Sequence, residues 1–131
     1  MKKSRLINQP ISAVVAGLGH TDTIVVADAG LPIPATAERI DLALMKGVPT
    51  FLQILEAVLS EMQVEQVIVA SELATASPET LQEIRRLLPH AQMESVPHES
   101  FKQLTGAAKA VIRSGEFTPY ANVILVSGVT F

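Results

Sequence analysis

The sequence predicts a single α/β domain over residues 1–131, three layers deep, with a mainly parallel or mixed sheet flanked by helices. Three observations predict it. Short β-branched apolar runs alternate along the chain with segments of helical periodicity, the signature of strands joined by helical crossovers. The length of 131 residues suits one core and is short for two. No internal repeat, low-complexity tract or linker divides it. Two late strand-like runs follow each other without a helix between them, so the sheet can be mixed.

Taken in order, Ile11, Val14, Val15 and Leu18 recur at helical spacing, with Asn8 as cap, Pro10 in the first turn and Gly17 and Gly19 at the end. Thr23 to Ala27 is a buried strand. "RIDLAL", from Arg39 to Leu44, alternates and reads as a second strand. "TFLQILEAVLSEM" is the clearest helix: Thr50 and Gln53 form a capping box, and Phe51, Ile54, Leu55, Val58, Leu59 and Met62 line one face. "EQVIVAS" is a strand, and "SPETLQEIRRLL" a helix capped by Ser77 with Pro78 in its first turn. A weak strand over Met93 to Val96 leads to a short helix, "HESFKQL", ended by Gly106. "AKAVIRS" and "NVILVSGV" are the last strands, split by the loop "GEFTPYA".

Composition narrows the function. A net charge of −3 with scattered basic residues argues against a nucleic-acid partner. The absence of cysteine removes disulfides, thiolate metal sites and a cysteine nucleophile, and fits a cytoplasmic protein. "MKKSRLINQPISAVVAGLG" mimics a signal peptide, but Asn8, Gln9 and Pro10 interrupt it, so it reads as a mature N-terminus. The apolar runs are too short to span a membrane. With 48% apolar residues, the chain is expected to bury surface against other subunits.

Among candidate chemical groups, His20 follows the first helix, whose carbonyl end attracts a protonated imidazole; position alone is better explained by a solvent-exposed cap. Asp22 suits an Asx-type turn. Asp28 ends an apolar strand, where a partly desolvated carboxylate is paired or functional, and where ligands of such sheets collect. His98 opens a short helix, and Lys102 lies one turn later. No close histidine pair supports a metal site built from His20, Asp28 and His98. "GLG" precedes a strand instead of following one, so it is no dinucleotide loop, and there is no G-x-S-x-G elbow. In "RSGEFTPYANVIL" the only tyrosine, Tyr120, stands two residues before Asn122, and such neutral donor–acceptor groups suit sugar hydroxyls.

"GHTDTIVVADAGLPIP" together with "VIRSGEFTPYANVIL" resembles the D-ribose pyranase family of sugar mutarotases, and the similarity runs the length of the chain. The resemblance implies a ribose-pyranase-like fold and cofactor-free, metal-free interconversion of the pyranose and furanose forms of free D-ribose. It implies His20 as proton donor, with Asp28, His98 and the segment Tyr120, Ala121 and Asn122 contacting the sugar. Lys102 is a further candidate contact. The resemblance also implies homo-oligomeric rings, decamers or octamers, with sites at subunit boundaries. His98, Asp28 and water are each candidates to take the anomeric proton. A preference for fucose or another aldose, or a non-catalytic sugar-binding role in ribose uptake, are the alternatives.

Overall fold

The computed structural model describes all residues 1–131. Six strands form one mixed sheet: β1 (Thr23–Ala27), β2 (Glu38–Asp41), β3 (Val64–Ala70), β4 (Gln92–Val96), β5 (Ala110–Arg113) and β6 (Val123–Ser127). Their spatial order is β2-β5-β1-β6-β3-β4. β5 lies parallel to both β1 and β2, and β3 parallel to β4. β6 runs antiparallel to its neighbours β1 and β3. The last two strands therefore do not pair with each other; β1 lies between them.

The alternation of side chains on β1 sorts the helices into layers. Ile24 and Val26 face the larger core, shared with α1 (Gln9–Gly17), α2 (Phe51–Leu59) and α4 (Pro78–Leu87). Val25 and Ala27 face a smaller core closed by Phe101 of α5 (His98–Leu104). All four β1 residues from Ile24 to Ala27 are fully buried, each larger one contributing about 1.5–3 kcal/mol of apolar transfer. That is the three-layer arrangement expected from the sequence.

Local chemistry sets the element ends. The Asn8 side chain accepts from the Ile11 amide at 3.0 Å. Thr50 and Gln53 form the reciprocal capping box at 3.1 and 2.9 Å. β2 stops at Asp41 and not at Leu44, because the Asp41 carboxylate captures the Ala43 amide at 3.0 Å and bends the chain out of the sheet. Two short elements carry too little periodicity to be read from sequence: α3 (Leu73–Ala76) and a 3₁₀ turn over Thr105–Ala107. No helix is long and apolar enough to cross a membrane.

Candidate functional site

Strand direction divides the polar residues between two edges of the sheet. Residues following the five mutually parallel strands gather at their carboxyl edge: Asp28 after β1, Asp41 and Arg113 ending β2 and β5, Glu72 beyond β3, and His98 after β4. Because β6 runs the other way, the residues before it, Tyr120 to Asn122, arrive at this same edge. His20 precedes β1 and lies at the opposite edge, with Glu65 at the start of β3 and the chain beyond β6. About 16 Å of strand separates His20 from Asp28, so one protomer does not bring them together.

At the carboxyl edge, Asp28, His98 and Tyr120 line a cavity of about 250 Å³ with Gly30, Leu31, Pro32 and Pro119. The Asp28 carboxylate is fixed from two sides. Its Oδ1 accepts the Gly30 and Leu31 amides at 2.9 and 2.8 Å, and its Oδ2 accepts Asn122 Nδ2 at 3.0 Å. Asn122 Oδ1 in turn accepts the Asp28 amide at 2.7 Å. Asn122 and Ala121 are fully buried in the protomer, so the Asn122 side chain bears on the cavity through Asp28. Tyr120 has a positive φ of 64°, a left-handed conformation that costs an L-residue about 1–2 kcal/mol. Its ring meets the His98 imidazole edge-on at 5.0 Å, and His98 stacks on Phe101 at 6.3 Å. Glu72 holds the start of α5 by accepting the His98 amide at 2.9 and 3.2 Å. Lys102 does not line this cavity; it pairs with Glu99 at 2.8 Å, and its ammonium holds the Glu99 carboxyl below the usual range.

A second cavity of about 390 Å³ adjoins the first, sharing Asp28, Gly30 and Pro119 and adding Ala29, Arg113, Glu116, Phe117 and Thr118. Arg113 ties three segments together, donating from Nε to the Ala29 carbonyl at 3.0 Å and from Nη1 to both Asp41 oxygens at 3.2 Å. Burial pushes the Asp41 carboxyl up, but the Ala43 amide and the charges of Arg113 and Arg39 outweigh it, so Asp41 titrates below its ordinary 3.8. A lowered carboxyl value stabilises the fold above the unfolded value and loses that contribution as pH falls through the folded one. Asp41→Asn is therefore expected to lower the melting temperature at pH 7 by a few degrees, at most about 1 kcal/mol after solvent screening. Thermal melts at stepped pH check this: the difference from wild type should shrink below pH 3.8, and one that persists at pH 2 would assign it to something other than the ionised pair.

At the opposite edge, His20 Nε2 lies 2.8 Å from Glu65 Oε2, with the two side chains 53% and 44% exposed. A register shift between Val64 and Gln66 against β6 makes Glu65 the extra residue of a bulge, which turns its side chain toward His20. Asp22 closes the preceding turn by accepting the Gly19 amide, three residues back, at 2.9 Å, where an Asx turn would take the amide two residues on, and Thr21 takes a φ of 70°. His20 borders an open groove of about 540 Å³ with Glu61, Gln63, Ser127 and Phe131.

Neutral hydrogen-bonding groups, an imidazole and a fixed carboxylate around a small cavity suit a polyhydroxylated ligand. A family model described as the RbsD / FucU transport protein family matches residues 1–130. The chain belongs to that family. Its 131 residues are 51% identical to the D-ribose pyranase of Geobacillus thermodenitrificans, covering 100% of this chain and 99% of that protein. The structure of Bacillus subtilis RbsD complexed with D-ribose superposes with a TM-score of 0.97 at 47% identity, each chain covered completely. The Streptococcus pneumoniae fucose mutarotase in complex with L-fucose shares the fold, with a TM-score of 0.83 at 22% identity and full coverage of both chains.

In this member of the RbsD / FucU family, sequence reasoning passed over four polar residues: Glu65, Glu72, Arg113 and Glu116. Only Glu65 carried a local signal, as a charge opening an otherwise apolar strand. Arg113 and Glu116 act across 65 to 84 positions of chain, and Glu72 acts across 26 from a short loop, where spacing holds no information.

Proposed function

We propose that this chain is an isomerase that interconverts the pyranose and furanose forms of free D-ribose, the D-ribose pyranase reaction. The full-length 51% identity to a D-ribose pyranase carries this reading. The cavity of Asp28, His98 and Tyr120 supports it chemically. Opening a pyranose breaks the C1–O5 bond while a proton reaches O5 and another leaves the anomeric hydroxyl. Closing to the furanose joins O4 to C1 with the reverse transfers. Imidazole both gives and takes protons near neutral pH, so His20 serves as donor to the ring oxygen, oriented by Glu65. Asp28, held by Asn122, binds sugar hydroxyls, and His98 and Tyr120 fix the pose. Ala121 contributes through its backbone. Residues 1–131 act as one domain, in the cytoplasm.

Because His20 and Asp28 occupy opposite edges of one sheet, the site on this reading combines two copies: His20 of one beside Asp28 of the next, in a homo-oligomeric ring of eight or ten subunits. The exposed apolar side chains of Leu44, Met45 and Val48, and of Phe117 on the wall of the larger Asp28 cavity, fit surface buried between subunits. Saturation-transfer NMR on D-ribose tests the activity. Wild-type protein should speed pyranose–furanose exchange; binding without acceleration would reduce the chain to a sugar-binding protein, and faster exchange of fucose than ribose would change the substrate. Mixing tests the shared site. His20→Ala and Asp28→Ala proteins, each inactive, should regain about a quarter of wild-type activity when co-assembled, since random pairing leaves that fraction of boundaries intact. No recovery in mixed rings would place both residues in one protomer's site.

A further inference from the structure

We propose that the cavity walled by Arg113, Glu116, Phe117 and Thr118 is an annex of the Asp28 site that receives the C5 hydroxymethyl arm of the ring-opened sugar. This deepens the ring-interconversion activity proposed above and rests on it.

The need for such a space follows from the chemistry. In the pyranose, C5 is a ring atom and O5 is bonded to C1. In the furanose, O4 is bonded to C1 and C5 projects from the ring as a free hydroxymethyl group. Between the two, C1–O5 has broken, O5 carries the proton it received, and C1 is an aldehyde. The carbon chain must then rotate so that O4 replaces O5 at C1, which throws the C5 arm outward. O4 next attacks C1, loses its proton, and the aldehyde oxygen is protonated, so atoms and charge balance. Exchange between the α and β pyranoses begins with the same opening but needs rotation only about C1–C2. O5 closes the ring again and the C5 arm stays where it was.

The first cavity, about 250 Å³, is small for a ligand that must change shape inside it. The adjoining space of about 390 Å³ is reached across the shared residues Asp28, Gly30 and Pro119. Its walls suit a single neutral hydroxyl on a short carbon arm. Arg113 has Nε and Nη1 engaged by Ala29 and Asp41, which leaves Nη2 as donor. The Glu116 carboxylate is an acceptor, held by the Phe51 amide at 3.2 Å and the Thr118 hydroxyl at 2.9 Å. A hydroxymethyl group both donates and accepts, and Phe117 offers an apolar surface to its carbon. An anionic arm is disfavoured, because Asp28 and Glu116 both line the annex while Arg113 is balanced by Asp41 at 3.2 Å.

The test measures both exchanges on D-ribose by saturation-transfer NMR in the assembled wild-type protein, in Ala29→Leu, which narrows the annex, and in Phe117→Ala, which removes one wall, with native mass spectrometry checking that each variant assembles as wild type does. Ala29→Leu should slow pyranose–furanose exchange about tenfold while α–β pyranose exchange stays within about twofold. Phe117→Ala should show the same selectivity at about threefold. Loss of both exchanges by one common factor in Ala29→Leu, or no change in either, overturns the annex. If circular dichroism shows that Ala29→Leu does not fold, Phe117→Ala decides by the same ratio. Wild-type protein that accelerates neither exchange is a separate result: it overturns the parent activity and the annex with it.

Discussion

His20→Gln is expected to lower ribose ring exchange by about two to four orders of magnitude while leaving the fold and the assembly intact. Glutamine keeps a side chain that can hydrogen-bond to Glu65 but cannot carry a proton between sugar oxygens. The structural cost is small because the His20 side chain is 53% exposed and its one hydrogen bond is to Glu65, at 2.8 Å. An exposed pair of this kind contributes at most about 1 kcal/mol, so melting temperature and native mass should match wild type. Ribose binding should also persist, since Asp28, His98 and Tyr120 lie at the other sheet edge and belong to a different copy on the shared-site reading. The loss should therefore fall on kcat, with KM near its wild-type value. Saturation-transfer NMR across a ribose titration separates the two. Exchange at the wild-type rate in His20→Gln would remove His20 from proton transfer and leave His98 as the imidazole to examine.

The contrast between His20 and Asp28 shows what the sequence could and could not carry. Elements were legible where periodicity and caps agree: Asn8, Thr50 with Gln53, and Ser77 each open a helix where expected. The position of Asp28 at a strand's carboxyl end was legible too, because an apolar run ending in Asp-Ala-Gly states both burial and turn. Strand direction was not. That β6 is antiparallel depends on β1 separating it from β5, a pairing across about a hundred residues that no local pattern records. Yet that reversal alone delivers Tyr120 and Asn122 to Asp28 and sends Ser127 to Phe131 toward His20. Lys102 shows a different limit of spacing. Helical spacing placed it near His98, but spacing does not say that Glu99, one turn back, takes its ammonium at 2.8 Å.

Asn122→Leu is the second large effect. The substitution keeps the branched heavy-atom skeleton and removes both amide contacts to Asp28. It leaves the Asp28 backbone N–H without its 2.7 Å acceptor and the Oδ2 without its donor, at a position with no solvent to replace them on the Asn122 side. An unsatisfied buried donor costs about 1–3 kcal/mol and a hydrogen bond to a charged group is worth about 1.5–3, so a destabilisation near 3 kcal/mol is expected. For a domain of this size that is roughly a 10 °C fall in melting temperature. Activity should fall through KM, because a carboxylate freed from Oδ2 samples orientations that no longer meet the sugar. A double-mutant cycle isolates the contact. With Asp28→Ala in the background, Asn122→Leu should cost about 1–2 kcal/mol less, since the carboxylate partner is already gone and only the amide acceptor is lost. Equal costs in both backgrounds would mean that Asn122 supports the core alone and does not hold the Asp28 side chain for substrate.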